Sequence, residues 1–391
     1  MASHYSDKKA RRMRDDRLSA LPDSIIHHIF SLMDIESCIR MSLLSKNLKR
    51  LWNSLPDLIF DGRRAPNKSK AIRFRNLVLR ALYDRDHHVP INSLRLVFDK
   101  EFDKKDGHGD FSRKIAAYLE SPETCIRHLS IVFTFGCVVP SYRMPTLTTL
   151  YLEGCDFSRN PNCLDPFASC VNLEQLFLHN CSFSEGFTWK ITGPQLLRLE
   201  ITDLRIEQRR SRRFDDIIKV EIWTPKLLSL RLNLFKPLDF STLHLPALKN
   251  LDMQICYATS YNRTTISLLI NMFRGFHHAQ YVKLCSKIIL ILSLLHGLAA
   301  LHKQPPPFTR LKTLTIQRRE GDSLNKIPDN GITARLSGRG ACNVNYLGQM
   351  CKAIFNHIHQ KLAEAILGEV AYTCKISGDK WKEKQGSCKD K

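Results

Sequence analysis

Negative charge is scarce in this sequence of 391 residues: 38 aspartates and glutamates face 59 lysines and arginines, a formal net charge of +21. That balance excludes an acidic solvating chain and leaves three kinds of partner in view: nucleic acid, a membrane surface or an acidic protein. Paired cysteines are missing too. The 13 cysteines are an odd number and no two stand at C-x-x-C spacing, so neither a disulfide framework nor a common zinc knuckle is indicated. The opening residues, MASHYSDKKARRMR, are polar and basic, so no secretory leader is expected and a reducing compartment, nucleus or cytoplasm, is. Long apolar runs are absent. The longest, Ile288–Leu301, has 14 residues interrupted by Ser293 and His296, which suits a buried helix and not a membrane span. There is no P-loop, no G-x-G-x-x-G, no H-E-x-x-H and no G-x-S-x-G. The pairs His27-His28, His87-His88 and His277-His278 are adjacent, and adjacent side chains diverge on a helix or strand. Nothing joins a nucleophile to a base and an orienting group. A non-catalytic chain without cofactor or metal is expected.

What is present begins at Asp16–Asp57, DRLSALPDSIIHHIFSLMDIESCIRMSLLSKNLKRLWNSLPD. Three short helical runs are legible there. Pro22 suits a first helical position, with Asp23 in the first turn. Ile25, Ile26, Ile29, Phe30, Leu32 and Met33 then recur at helical spacing and cover more than one face. Asp34 is placed to cap a second run through Ile35, Ile39, Leu43 and Leu44, and Ser45 a third through Leu48, Leu51 and Trp52. Three helices of this length cannot enclose so many large apolar side chains, so the surplus requires a partner surface or the next domain.

From residue 91 a phrase returns, L-x-x-L-x-L. Its copies start at Ile91, Ile126, Leu147, Leu173, Leu196, Leu227, Leu248, Ala279 and Leu311. From Ile126 the steps are 21, 26, 23, 31, 21, 31 and 32 residues, within or near the 20–29-residue period of leucine-rich repeats. The alternating L-x-L is a short strand with inward leucines, and the first leucine packs in the turn before it. Two copies extend to L-x-x-L-x-L-x-x-C-x-F, ending at Phe157 and Phe183, which places Cys155 and Cys181 (and, by spacing, Cys256) beneath the turn that follows the strand. Such thiols are structural. Proline recurs just before several copies, at Pro145, Pro194, Pro225 and Pro246, as turns between units require. Stacked units share one elongated core. The fold expected is therefore an α/β repeat solenoid, a leucine-rich-repeat horseshoe, preceded by a small three-helix module.

The N-terminal block resembles a plant-type F-box. Leu21, Pro22, Asp23, Ile29, Ser31, Ser42, Leu44, Ser45, Lys46, Leu51 and Trp52 match its pattern in order without a gap. Leu48 stands where that pattern usually has a Trp, Asn47 where it has a basic residue and Asp34 where it often has Pro. With the repeats, the resemblance is to plant F-box/leucine-rich-repeat proteins, some of which carry a C-terminal FBD region; KIPDN at Lys326–Asn330 resembles the lead-in to it. The resemblance implies docking on a Skp-type adaptor and through it on a cullin, with the repeats presenting an unidentified protein substrate for ubiquitination. It nominates Leu21, Pro22, Ile25, Ile29, Leu32, Leu44 and Trp52 as residues that dock or position the docking helices.

The expected organisation is a disordered basic arm at 1–15, the F-box at 16–57, a linker and helix at 58–90 with the helix over 71–83, repeats at 91–320 and a divergent C-terminal region at 321–391. In that last region 331–343 reads as featureless, 346–370 as a helix and 378–391 as a charged tail. Further helices are expected within 254–278 and 285–301. Lys8–Arg14 reads either as a nuclear-import patch or as a solvated tail. A charged insertion covers 205–219, where Arg209, Arg210, Arg212 and Arg213 flank Ser211; it reads as a solvated loop or as a grip on an acidic partner or phosphate. The rival reading of the whole chain is a basic repeat protein that binds nucleic acid or an acidic partner without a ligase role.

Overall fold

The structure is a computed structural model. It describes residues 18, 21–33, 35–64, 68–85, 89–98, 109–121, 124–138, 144–157, 165–184, 188–207, 219–235, 238–255, 263–285, 288, 310–317 and 332–335. The basic arm, Asp34, the arginine run, Cys256, KIPDN, the helix expected at 346–370 and the charged tail lie outside these residues, as does nearly all of the helix expected at 285–301.

Three helices open the fold where the periodicity places them: α1 (Asp23–Leu32), α2 (Ile35–Ser42) and α3 (Lys46–Asn53). Ser45 caps α3, its hydroxyl accepting from the Leu48 amide at 3.1 Å. Pro22 sits one residue earlier than expected, as the cap of α1 in extended conformation, its carbonyl accepting from the Ile25 and Ile26 amides.

The chain then enters the sheet sooner than the sequence suggested. Residues assigned to a linker form β1 (Asp57–Asp61), paired in parallel with β2 (Ile91–Phe98) through Leu58↔Leu94 and Phe60↔Leu96. Leu55, Leu58 and Phe60 are thus a further L-x-x-L-x-L copy, fused directly to α3 and buried. The expected helix is α4 (Lys68–Tyr83), which returns the chain from β1 to β2, and α5 (Gly109–Glu120) does the same before β3 (Ile126–Val138).

Each L-x-L becomes a strand of one parallel sheet. After β3 come β4 (Thr149–Asp156) and β5 (Gln175–His179), with short β6 (Ser182–Ser184) and then β7 (Thr188–Thr192) following. Next are β8 (Arg198–Thr202), β9 (Arg205–Glu207), β10 (Lys219–Trp223), β11 (Ser229–Leu234), β12 (Asp239–His244) and β13 (Asn250–Ile255). Helix α6 (Arg263–Gly275), β14 (Tyr281–Cys285), β15 (Thr313–Gln317) and β16 (Ile332–Arg335) complete the order. The main path runs β1-β2-β3-β4-β5-β8-β11-β13-β14-β15-β16, parallel until β16, which pairs antiparallel with β15. That strand corrects the expectation that 331–343 is featureless.

Register follows the repeat throughout. Leu58, Leu94, Leu129, Leu150, Leu176, Leu199, Leu230, Leu251, Val282 and Leu314 pair in one row, all buried. A slip of one residue would turn every leucine out, so the pattern leaves a single register. One backbone bond per unit continues across the turns: the amides of Thr148, Glu174, Leu197, Leu228, Lys249, Gln280 and Lys312 donate to the carbonyls of Arg127, Thr148, Glu174, Leu197, Leu228, Lys249 and Gln280 at 2.7–3.0 Å.

The α/β expectation holds only in part. Helices return the chain in the first units and at α6, but three middle units return through strands, and β12-β10-β7 form a separate parallel sheet. Their segments, TWKIT, KVEIW and DFSTLH, carry apolar residues at or near period 2 with aromatic and β-branched side chains. The middle of the array is therefore sheet on sheet, with Val220, Ile222, Trp189 and Ile191 in the shared core.

Candidate functional site

Two surfaces stand out, one on the N-terminal helices and one on the outward face of the long sheet.

Helix α1 is apolar on both sides. Ile26 and Phe30 enter the core, where the Phe30 carbonyl accepts from the Cys38 thiol at 3.3 Å. On the other side Leu21, Ile25 and Leu32 are exposed, with Ile29 half-buried between them, a stripe at helical spacing. Leu32 is 75% exposed. Beyond α2, the turn that leads to α3 presents Leu43 and Leu44, 79% and 74% exposed. Large apolar side chains so open to water on a small module mark an interaction surface. Pro22, also exposed, fixes the start of the stripe.

The seven nominated residues therefore divide by position. Leu21, Pro22, Ile25, Leu32 and Leu44 lie on the surface, Ile29 is half-buried, and Trp52 is buried with Leu48 and Leu51 in the core of α3. Trp52 thus belongs to the core and not to the exposed face. Leu48, where the resembling pattern has a Trp, is likewise internal, so that departure bears on packing and leaves the exposed face intact. The sequence places Leu43 and Leu44 in the second helical run; α2 ends at Ser42, and both leucines face solvent. Asn47 accepts from Arg50 at 3.0 Å, and Arg50 also pairs with Asp23 at 2.8 Å, tying α3 to the start of α1.

On the sheet, side chains between the buried leucines point outward. The central outward row reads Arg95, Ser130, Tyr151, Phe177, Glu200, Arg231, Asp252 and Lys283 from β2 to β14. Glu200 receives three basic neighbours: Arg198 at 3.3 Å, Arg231 at 3.5 Å and His179 at 3.4 Å. Asp252 is shared by Arg231 at 3.2 Å and Lys283 at 3.8 Å. Tyr151 donates to Glu153 at 2.8 Å and lies tilted against His179 and Phe177, with ring centroids 4.9 and 6.2 Å away. Burial first, then the bond to Glu153, pushes the Tyr151 phenol well above its ordinary range, so it stays a donor. The Arg198 guanidinium stands 5.1 Å from the Phe177 ring centre, a cation–π contact. Periodicity identified these positions as outward, but their pairing required the register.

Cys155 and Cys181 are buried where the repeat predicts, and Cys181 donates to the His179 carbonyl at 3.4 Å. Among the described residues no group of three or more His, Cys, Asp or Glu is arranged to hold a metal ion, and no helix is long and apolar enough to cross a membrane.

Comparison with known proteins bears on the helical module and on the repeats. Residues 18–60 match the F-box domain family. An F-box/FBD/LRR-repeat protein of Arabidopsis thaliana is 32% identical over 210 residues, 48% of this chain and 47% of the relative. A second of that description is 27% identical over 227 residues, covering 51% and 50%. An F-box/LRR-repeat protein of the same plant is 28% identical over 322 residues, covering 77% and 66%. The chain thus spans about half the length of the first two relatives and two-thirds of the third.

Proposed function

From an F-box fused to leucine-rich repeats of the plant type, we infer that this chain is the substrate-recognition subunit of a Skp–cullin–F-box ubiquitin ligase. The observation that carries the reading is the apolar stripe on α1 with Leu43 and Leu44: five large hydrophobic side chains held in water by a module whose core is already filled. Burial against a partner would give Leu32, Leu43 and Leu44 most of the roughly 1.5–3 kcal/mol of a fully buried side chain, and Leu21 and Ile25, already more than half covered, less. A Skp-type adaptor is the partner that the F-box implies. Leu21, Pro22, Ile25, Leu32 and Leu44 make the contact, while Ile29 and Trp52 set the helices. The repeats, curved as a leucine-rich-repeat horseshoe, hold a protein substrate near the ubiquitin-conjugating enzyme. The chain contributes proximity and no bond chemistry. The work is done in the nucleus or cytoplasm, where such complexes act.

The test is binding of the purified full chain to a Skp-type adaptor, beside a Leu21→Ala/Pro22→Ala double variant and Leu44→Ala. Micromolar or tighter binding by the parent chain, weakened about tenfold or more in both variants with the fold retained, is the expected result. A well-folded chain that does not bind any Skp-type adaptor overturns it.

A further inference from the structure

The outward face of the sheet carries charge arranged by depth. The side chains of Arg198 and Arg231 are 48% and 46% exposed, whereas Glu200 beneath them is 9% exposed. Asp252 is similarly covered by Arg231 and Lys283. The carboxylates act as pegs: they hold the cations upright and are themselves shielded. An approaching partner meets the cationic tips. Arg198 gives Glu200 a single guanidinium hydrogen bond and lies against the Phe177 ring, with about half of its side chain open to solvent. Beside these tips lies an apolar platform, the rings of Phe177 and Tyr151, the latter with its hydroxyl committed to Glu153.

We propose that this face binds an extended acidic peptide segment of a protein, its carboxylates on Arg198, Arg231 and Lys283 and one apolar side chain on the Phe177–Tyr151 platform. This names the substrate class and so rests on the adaptor reading given above. From β5 through β8, β11 and β13 to β14 are four strand spacings. At about 4.8 Å each they span roughly 19 Å, the reach of about six extended residues. Arginine offers carboxylates paired donors in fixed geometry, and Glu200 lies below the arginines, out of a partner's direct reach. A nucleic-acid strand fits less well. Its phosphates recur without interruption, whereas Glu200 and Asp252 alternate with Arg231 and Lys283 along this row.

The experiment measures fluorescence anisotropy of labelled peptides with the full chain at near-physiological salt. The probe is a peptide of about ten residues, rich in glutamate with a central Phe; its comparators replace Glu by Gln, or Phe by Ala. Arg231 is left in place because it braces both Glu200 and Asp252. Arg198→Gln/Lys283→Gln removes two tips while Arg231 still covers Glu200 and Asp252. The double variant is expected to lose about tenfold or more in acidic-peptide affinity while binding the Skp-type adaptor as the parent chain does. Phe177→Ala is expected to weaken the Phe peptide more than the Ala peptide, whose smaller loss reads the Arg198 contact with the ring. The proposal is overturned if the Glu and Gln peptides bind alike, or if no acidic peptide binds. It is equally overturned if a single-stranded oligonucleotide binds more tightly, or if affinity is lost in Gln variants of Arg209, Arg210, Arg212 and Arg213 and kept in the double variant. Adaptor binding is read separately, so failure of this inference and failure of the adaptor reading are distinguishable.

Discussion

At the scale of single residues, the repeat is held by positions whose backbone is unusual. Gly154, Asn180 and Asp203 each stand seven residues after the first leucine of their unit and have φ of +69°, +53° and +53°. Gly, Asn and Asp are the residue types that tolerate the left-handed region. Gly154 is the most constrained, since an added Cβ would lie 1.7 Å from the Phe133 carbonyl oxygen. Gly154→Ala is therefore expected to cost more than about 2 kcal/mol, seen as a lower midpoint in urea denaturation. Asn180→Gly, which keeps the conformation accessible, is expected to stay within about 1 kcal/mol of the parent chain. The residue types at these positions were visible in the sequence. The close approach of Phe133 was not, because it comes from the preceding unit through a register shift between Val132 and Cys137.

At the scale of elements, helices α1 to α3 were legible from spacing, but which leucine enters the core and which stays exposed was not. An apolar residue on a doubly apolar helix reads the same either way. The structure separates Leu48, buried, from Leu44, exposed. Leu48→Ala is expected to destabilise the fold by about 2–5 kcal/mol through the cavity it leaves. Leu44→Ala is expected to move stability by no more than about 0.5 kcal/mol. Denaturant midpoints of the two variants check this, and a loss at Leu44 equal to that at Leu48 would place Leu44 in the core. The strands β7, β10 and β12 were also readable: each ends four residues before the first leucine of the next unit, ahead of the turn prolines Pro194, Pro225 and Pro246. The leucine phrase is the louder signal, and it obscured this second, shorter period.

At the scale of the whole molecule, each unit touches mainly its neighbours, so stability should be distributed along the array and not concentrated in one place. The N-terminal end is closed by the helical module, since Leu55, Leu58 and Phe60 carry its last helix straight into the sheet. Among the described residues the other end is covered by β16, a four-residue antiparallel strand. Hydrogen exchange of the native chain is expected to be slowest in β5, β8 and β11, with β15 and β16 exchanging at least about tenfold faster. Uniform protection from β2 to β15 would instead show one cooperative unit.

The sequence by itself determined the three helices, the leucine strands and their register, and the structural place of Cys155 and Cys181. Those features rest on local spacing, and burial of one face admits a single solution. Tertiary structure decided the fusion of the helical module to β1, the second sheet, the inward turn of Trp52 and Leu48, and the pairing of Arg198, Glu200, Arg231 and Asp252. These depend on which side chains from distant units meet across about 5 Å of strand separation, and no spacing within a unit encodes that.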